Sequence, residues 1–463
     1  MLRNRYDPLN LFELVPKLGR EMDPELVQLD RLLDDDVLFQ KVRADLVCRY
    51  RHTATRGRPS TPVEVILRML VVKRLYRWSY EETEHFVGDS LILRQFCRVY
   101  LESVPDDTTL IRWAKLIGPQ TLEQLNERVV QLARSLKVTR GRKLRVDRAV
   151  VETNIHHPTD SGILGAGVRV LGRLLRRAKP LVGGTPGLAK TVFQSHNRSV
   201  RRLAQQMHRV ARRKGEDAVA EMKGAYAKLL AITRRTQTQA RTVCALLQDR
   251  SEGVAQRLVQ QVAQVLPRID QAISQTVCRV IDGEVVPAKE KIVSLFEPHT
   301  QIIVRHKTGK TVEFGRKLWL EEVDGGIISG YRVLDEPGQD YAYFADSLTA
   351  HQRRFGKAPY LVAGDRGVSS AKNERLAQEA GVTRIVLPWD GKGSPERRKH
   401  ERERWFRRGF RFRAGIEGRI SVLRRCSGLA RCPDHGPDGM GRSVGWGILT
   451  HNLVKIAQTQ VAR

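Results

Sequence analysis

Three features that would direct a chain out of the cytosol or into a membrane are missing from this sequence. Its six cysteines include no CxxC pair and are scattered over 463 residues, which argues against a disulfide framework and favours a reducing compartment. No run of 18 apolar residues occurs, and the opening MLRNRYDPLN contains no apolar signal-peptide core. We therefore expect neither export nor membrane spanning.

The sequence also lacks a recognisable zinc motif. Cys426, Cys432 and His435 lie close together, but a structural zinc site takes four ligands at characteristic spacings. The usual spacing and a fourth ligand are missing here. We therefore expect these three residues not to hold zinc.

Acidic residues are few compared with basic ones. The chain has 51 Asp and Glu against 81 Lys and Arg, a net charge of +30 and a pI near 10.4. Such an excess indicates a polyanionic partner, above all nucleic acid, bound through its phosphates. Apolar residues make up 41% of the chain, enough to bury cores in two or three domains.

Residues 1–140 are predicted to form an all-α N-terminal domain. The segments TPVE at 61–64 and SYEE at 79–82 have the form of capping boxes, and Asp107 is predicted to cap a further helix. Basic residues, among them Arg112, are frequent in these helices. We predict a DNA-binding domain, for which a helix-turn-helix is one form; a dimerisation bundle with a solvated basic face is the alternative.

A strongly basic insertion is predicted after the first strand. Residues 161–280 contain 22 Lys and Arg against 6 Asp and Glu, a net of +16 that is more than half of the chain's excess. Apolar residues from Val254 to Val280 recur at intervals of three and four, close to a heptad seam, and Ser199–Leu247 offers a partner face. We predict that residues 165–285 form a basic coiled-coil hairpin of two long helices. It would contact DNA or pair subunits, and a solvated charged face is the alternative.

The remaining segments, 141–164 and 286–463, are predicted to form one α/β domain. A first strand is predicted at Lys143–Val151 and further strands in IVSLF, QIIVRH, TVEF, KLWLEEV and IISGYRVL, the last two joined by a DGG turn. Helices and strands then alternate up to a long basic helix at Glu401–Arg425. This order makes a ribonuclease H-like α/β fold the natural candidate, a mixed sheet whose first three strands are antiparallel.

Three acids in that domain are candidate catalytic residues and metal ligands. Asp147 lies in the first strand, Asp365 directly follows the apolar strand Tyr360–Ala363, and Glu417 lies on the long basic helix. Ligands bind α/β sheets where strands end, and three carboxylates suit one or two Mg²⁺ ions that act on a phosphodiester. The alternatives are a turn or cap role for Asp365 and an ordinary i,i+4 partner role for Glu417.

Basic side chains surround the last of these acids. Phe410, Arg413, Glu417, Ser421 and Arg424 are spaced by three or four residues, so on a helix they share one face. Arginine binds phosphate through its planar fork. The candidate DNA-binding residues are Arg112, Arg366, Arg413 and Arg424; generic surface charge is the alternative.

His156, His157 and Asp160 follow the first strand closely enough to line the same cleft. Histidine is a poor ligand for Mg²⁺. We therefore predict DNA or structural contacts for these residues rather than catalysis.

The chain resembles the bacterial insertion-sequence DDE transposases, in the group whose signature is Y-(2)-R-(3)-E-(6)-K around the last acid. The matching positions are Phe410, Arg413, Glu417 and Arg424, with the spacing kept and with Phe for Tyr and Arg for Lys. The first change removes a hydroxyl group, and the second keeps the charge. Three further segments are similar to that family: GRPSTPVEVILRMLVVKRLYRWSYEETEHF, RVDRAVVETNIHHPTDS and VAGDRGVSSAKNERLA.

The resemblance implies a ribonuclease H-like catalytic domain, cleavage at transposon ends with Mg²⁺ (Mn²⁺ able to substitute), and joining of the freed 3′-hydroxyls to target DNA. Its partners would be double-stranded DNA, namely terminal inverted repeats and target, and further copies of the chain in a homodimer or higher homo-oligomer. It would act in the bacterial cytoplasm at the nucleoid. The alternatives are a ribonuclease H-like nuclease or resolvase that does not join strands, and a non-enzymatic nucleic-acid-binding protein.

Overall fold

The computed structural model of the chain contains two compact units. Unit 1 comprises Met1–Asn154 and Arg316–Arg463, and unit 2 comprises Ile155–Gly315. The structure describes residues 1–6, 22–53, 55, 59–182, 190–248, 250, 252–304, 311–335, 340–389, 391 and 393–463. The end of the predicted strand QIIVRH, at 305–306, and the start of the segment GRPSTP, at 57–58, lie outside the described residues.

Seven helices precede the first strand among the described residues of unit 1. They are α1 (Pro24–Leu33), α2 (Asp36–Val47), α3 (Val63–Tyr76), α4 (Tyr80–Asp89), α5 (Leu91–Phe96), α6 (Asp107–Ala114) and α7 (Pro119–Ser135). The capping box predicted at SYEE is confirmed, since the Ser79 hydroxyl accepts from the Glu82 amide and the Glu82 carboxylate accepts from the Ser79 amide. The cap of α6 is Asp106, one residue earlier than predicted.

The capping box predicted at TPVE is wrong. Helix α3 is capped by Pro62 without a side-chain hydrogen bond. The Glu64 carboxylate, which would complete the box, lies 3.4 Å from the Arg68 Nε instead. The Glu64 carboxylate therefore pairs with the buried Arg68 guanidinium, whereas a capping box would require it at the start of the helix.

A mixed, seven-stranded sheet follows, in the order β2-β3-β1-β5-β6, with β4 on β3 and β7 on β1. The strands are β1 (Lys143–Thr153), β2 (Gln301–Val304), β3 (Val312–Val323), β4 (Ile327–Val333), β5 (Leu361–Ala363), β6 (Arg384–Val386) and β7 (Arg431–Cys432). Strands β5 and β7 are parallel to β1, and β6 is parallel to β5, whereas β2 and β4 are antiparallel to β3. The fold class is thus mixed α/β.

The strands predicted between 291 and 334 are partly confirmed. The Asp324-Gly325-Gly326 turn forms with positive φ of 83° and 77° at its glycines, and the predicted TVEF and KLWLEEV strands are one strand, β3. The prediction of a strand at IVSLF is wrong. The Ile292 amide and carbonyl bond the Gln275 side chain instead of a neighbouring strand.

The rest of unit 1 alternates helices with short strands and ends in a long helix. The helices are α12 (Asp340–Phe355), α13 (Ala371–Glu379), α14 (Pro395–Arg402), α15 (Arg404–Cys426) and α16 (Gly436–Val461). The helices between α7 and α12 lie in unit 2: α8 (Asp160–Val182), α9 (Asn197–Val210), α10 (Glu216–Gln248) and α11 (Gly253–Thr276). The helix predicted at Glu401–Arg425 is broken, because Glu403 is extended, with φ −58° and ψ 143°, and caps α15. None of the described helices is both long and apolar enough to cross a membrane.

One hydrophobic core joins the N-terminal helices to the strands of unit 1. Helix α16 packs against α1, α3 and α7. Within this core, the Asn452 side chain bonds the Asn126 side chain and both backbone polar groups of Ile328, and this ties α7, β4 and α16 together. The predicted domain limits stay a prediction.

Unit 2 is built from four helices among its described residues, rather than the two that were predicted. They are α8 (Asp160–Val182), α9 (Asn197–Val210), α10 (Glu216–Gln248) and α11 (Gly253–Thr276), followed by a π-helical turn at Val277–Asp282. The predicted partner helix is divided near Gly215, which has a φ of +112°, a conformation that side-chain-bearing residues rarely adopt. The apolar seam is confirmed in part: Leu258, Val262, Ile269 and Ile273 are buried in an aliphatic core, whereas Val254 at the predicted start is 49% exposed.

Candidate active site and nucleic-acid-binding residues

The candidate site in unit 1 starts from a carboxylate inside the sheet. Asp147 lies in the middle of β1 and is 8% exposed. Its Oδ1 accepts from the Arg148 amide at 2.7 Å, and its Oδ2 accepts from the Arg413 Nη2 at 3.0 Å. A buried carboxylate needs such partners, because an unpaired buried charge is costly.

The pairing of two parallel strands brings Asp365 level with Asp147. Arg145 in β1 lies opposite Ala363, the last residue of β5. Asp147 lies two residues after Arg145 within β1, and Asp365 lies two residues beyond the end of β5. Neighbouring strands lie about 4.8 Å apart at the last paired residues, and the charge of Asp365 acts on Asp147, so the two acids are near each other. The Asp365 Oδ1 accepts from the Val368 amide at 3.1 Å and caps a short 3₁₀ turn, which is the cap role of the alternative interpretation.

Glu417 reaches the same region from α15, which packs against β1, β5 and β6. Two glycines permit the close approach of this helix. A Cβ at Gly409 would lie 2.4 Å from the Val386 Cγ2, and one at Gly415 would lie 2.6 Å from the Arg145 Nη1. The Glu417 side chain is 69% exposed, so it faces solvent while Asp147 faces the interior.

Arg413 links the helix acid to the strand acid. Its Nη2 donates to Asp147 at 3.0 Å, and its Nη1 lies 3.5 Å from the Glu417 Oε1. Its side chain is 15% exposed, and its buried Nε has no hydrogen-bond partner among the described residues. Arg413 is therefore the cation that neutralises the candidate site in this structure.

The three carboxylates act on one another electrostatically. Burial raises the pKa of Asp147, the Arg413 charge and the Arg148 amide lower it, and the charges of Asp365 and Glu417 raise it again. The pKa of Asp147 is raised as a net result. Additional positive charge beside Asp147 would therefore stabilise its ionised form.

A buried ion-pair network, which the sequence analysis did not identify, holds α15 to the sheet. Glu322 in β3 is 1% exposed and lies 2.7 Å from the Arg145 Nη2 and 3.1 Å from the Arg419 Nε. Arg145 precedes Asp147 by two residues, so the two side chains leave β1 on the same face. An acidic pair, Glu321-Glu322, within an apolar strand was the available signal.

The other predicted basic residues are placed differently. Arg424 lies on α15, with its Nη2 3.8 Å from the Glu152 Oε1. Arg366 and Arg112 are exposed, the first in the turn after Asp365 and the second in the last turn of α6. Within the described ranges, neither forms an ion pair with any of the three acids.

The residues that follow β1 belong to unit 2. Asp160 is buried and accepts from the Gln275 Nε2 at 2.7 Å and from the Arg279 Nη1 at 2.8 Å. The His157 ring stands edge-on to Phe314 at 5.6 Å. The structural alternative thus holds for Asp160.

Asp147, Asp365 and Glu417 offer carboxylate oxygens to a divalent cation. Three carboxylates are the hard oxygen donors that Mg²⁺ prefers, so the chemistry of the donor set fits. The positions of the side chains do not fit a bound metal ion, because no group of three or more His, Cys, Asp or Glu among the described residues is placed to hold one. The guanidinium of Arg413 lies between Asp147 and Glu417.

A cavity of about 450 Å³ lies in unit 1, lined by residues of α7, β3, β4 and α12. Six of its seven charged side chains pair with one another, and Glu123 is the seventh. The pairs are Arg354 with Glu321, Arg353 with Glu127, and Arg332 with Asp346. This cavity therefore offers little free charge to a ligand.

Comparison with known proteins supports a transposase-family protein. Residues 12–116 match the family model described as "Transposase domain (DUF772)". The chain is also 30% identical, over 129 residues, to the "Uncharacterized protein ORF8 in nfe locus" of Rhizobium meliloti. That alignment covers 27% of this chain and 61% of the relative. No solved structure matches the chain.

Proposed function

We propose that the protein is a DNA transposase of the DDE type, with a ribonuclease H-like catalytic domain, that cuts DNA at insertion-sequence ends and joins the 3′-hydroxyls to target DNA. The observation that carries the proposal is the register of β1 and β5, which supports a shared site for Asp147 and Asp365. Arg413 then connects Asp147 to Glu417. The match of the N-terminal residues to a transposase domain supports the same class.

Asp147, Asp365 and Glu417 would hold Mg²⁺, with Mn²⁺ able to substitute. When bound, such ions activate the attacking water or 3′-hydroxyl and stabilise the leaving oxygen of a phosphodiester. The burial of Asp147 limits water at one side of the site, whereas the exposed Glu417 leaves the other side open to DNA. Glu322, through Arg145 and Arg419, keeps α15 in position.

The arginines would serve the DNA rather than the chemistry. The Arg413 guanidinium donates to two carboxylates in this structure. The same planar group can donate to two oxygens of a phosphate. Arg424, two turns beyond Glu417 on α15, and Arg366, beside Asp365, extend the positive surface. Arg112 would contact DNA from the N-terminal helices. The active form would be a homodimer or higher homo-oligomer on DNA at the bacterial nucleoid.

The test uses the full chain, a labelled DNA that carries the ends flanking its gene, a target plasmid and Mg²⁺. Asp147→Asn, Asp365→Asn and Glu417→Gln are each expected to abolish strand cleavage. DNA binding is expected to survive or tighten, because a negative charge near phosphate is lost. Glu379→Gln, which removes an exposed acid on α13, is the matched control and should cut like the parent.

Three outcomes separate the candidates. Cut and joined products support the transposase, and products that are cut but never joined support a nuclease or resolvase. Binding without cleavage, unchanged by all three substitutions, supports a non-enzymatic nucleic-acid-binding protein. Normal cleavage by any one variant removes that residue from the site.

A further inference from the structure

Helix α9 of unit 2 has one apolar face and one face of hydrogen-bond donors. Val200, Met207 and Val210 are buried on the first face. At 100° per residue, an arc of about 100° on the opposite side contains five side chains. They are Arg198, Arg201, Arg202, Gln205 and Arg209, all exposed.

This donor face carries no negative charge of its own. The sequence of α9, NRSVRRLAQQMHRV, contains no Asp or Glu. Arg198, Arg201 and Arg202 form no ion pair within the described part of the chain. By contrast, the nearby Arg213 lies 2.7 Å from Glu221, and Arg241 in α10 lies 3.1 Å from Asp270.

Arg198, Arg201 and Arg202 are exposed cations without an acidic partner among the described residues, so they repel one another, and an anion relieves that repulsion; Arg209 acts on Glu221. Arg198 and Arg209 are eleven residues apart, so the face extends for roughly 16 Å at the helical rise of 1.5 Å. Duplex DNA carries one charge per about 1.7 Å of its axis. An equal length of duplex therefore presents several phosphates to one side of such a helix.

We infer that the α9 donor face docks the phosphate backbone of duplex DNA without reading base sequence. The inference deepens the proposed function, since it names a surface that would hold the DNA on which a transposase acts. Arginine forks donate to phosphate oxygens, and contacts to phosphate orient a protein on DNA without carrying sequence information. The apolar face of α9 is occupied by the core of unit 2, which leaves the donor face for a partner.

The test is a salt titration of DNA binding by the full chain. The variant combines Arg198→Gln, Arg201→Gln and Arg202→Gln, and the probe is a fluorescein-labelled duplex of scrambled sequence. Between about 50 and 200 mM salt, the slope of log K against log salt should become shallower by about 2 to 3, since each lost phosphate contact contributes roughly 0.9. Affinity at the low-salt end should fall at least about tenfold.

A matched control removes the same charge from arginines that already have partners. It combines Arg213→Gln, Arg241→Gln and Arg257→Gln, whose side chains contact Glu221, Asp270 and the Gly253 carbonyl. Its slope should stay within about 1 of the parent's. Equal losses in the two variants would mean that the net charge acts rather than this face, and would overturn the inference.

Two further arms complete the test. Changing the same three positions to lysine keeps the charge and should retain most of the binding, which guards against a glutamine variant that misfolds. A loss seen with RNA probes but not with duplex DNA would also overturn the inference. The salt titration measures binding only, so a negative result would leave the catalytic proposal untouched. Equally, a failure to cut DNA in the cleavage assay would not affect the result of the salt titration.

Discussion

The two units of the chain carry equal net charge and use it in different ways. Unit 2 has 27 Lys and Arg against 12 Asp and Glu in 161 residues, and unit 1 has 54 against 39 in 302, so each has a net of +15. Several arginines of unit 1 are buried and paired, as with Arg68 and Arg145. Unit 2 surrounds an aliphatic core with exposed cations. An exception is Arg279, which pairs with the buried Asp160.

The difference shows that a charge count does not reveal where the charges act. Inside unit 1, ion pairs hold helices to strands and position the candidate site. On unit 2, the cations remain at the surface, where they can attract phosphates. Substitutions that remove the same charge should therefore have different effects in the two units.

The largest expected effect comes from Arg68, which is fully buried. Its two terminal nitrogens lie 2.6 Å from Asp30 and from Asp34, and Nη1 also donates to the Phe96 carbonyl. Arg68→Ala should lower the free energy of unfolding of unit 1 by about 3–5 kcal/mol, because acids are left without their buried partner. All six tryptophans lie in unit 1, so tryptophan fluorescence in urea reports on this unit.

The matched change in unit 2 is Arg241→Ala, which removes an arginine from an exposed pair. Its effect, followed by far-UV circular dichroism, should be below about 1 kcal/mol. A loss of similar size in both variants would break the contrast between the units.

A second effect concerns the buried His351 of α12. Burial lowers its pKa to about 4, and its Nε2 donates to the Gly141 carbonyl at 3.0 Å. Between pH 6.5 and 4 the unfolded chain binds a proton that the folded chain does not, so stability falls as pH falls through this window. The loss due to this residue should reach about 3 kcal/mol near pH 4.

His351→Gln keeps a donor for Gly141 and removes the titration. Its stability at pH 7 will differ from the parent's, so the quantity to compare is the slope of stability against pH, again from tryptophan fluorescence. The variant's slope should be flatter. Parallel curves would show that His351 does not control the acid sensitivity of unit 1.

The smallest of the three effects is expected at the candidate site. Arg413→Gln leaves Asp147 buried beside two other carboxylates, so unit 1 should lose about 1–3 kcal/mol at pH 7. The pKa of Asp147 is raised even with Arg413 present. The cost of its ionisation is therefore absent below the ordinary Asp value of about 3.9 and grows as pH rises through the folded-state pKa.

A double-mutant cycle isolates this pair. Asp147→Asn in the Arg413→Gln background should recover much of the loss, with a coupling energy of about 1–2 kcal/mol. Additive losses would show that Arg413 supports the fold through other contacts, and the link between Asp147 and α15 would then be discarded.

Much of the local structure could be predicted. The SYEE capping box, the DGG turn and strands β1 and β5 follow from near neighbours in the sequence. Helix α16 was not predicted, because its glycines argue against a helix. A Cβ at Gly445 would lie 2.7 Å from the Leu122 Cβ. This glycine is therefore required by the close packing of α7, which lies more than 300 residues earlier in the sequence.

The candidate site divides in the same way. Residue type, spacing along one helix and the excess of cations are properties of short stretches, and they pointed to Asp147, Asp365, Glu417 and a polyanionic partner. The contact of Arg413 with Asp147 joins residues 266 positions apart, and no local rule contains it. The strand register and the packing of α15 bury Asp147 and leave Glu417 exposed. Only the tertiary structure decides this, because burial depends on which distant surfaces of the chain meet.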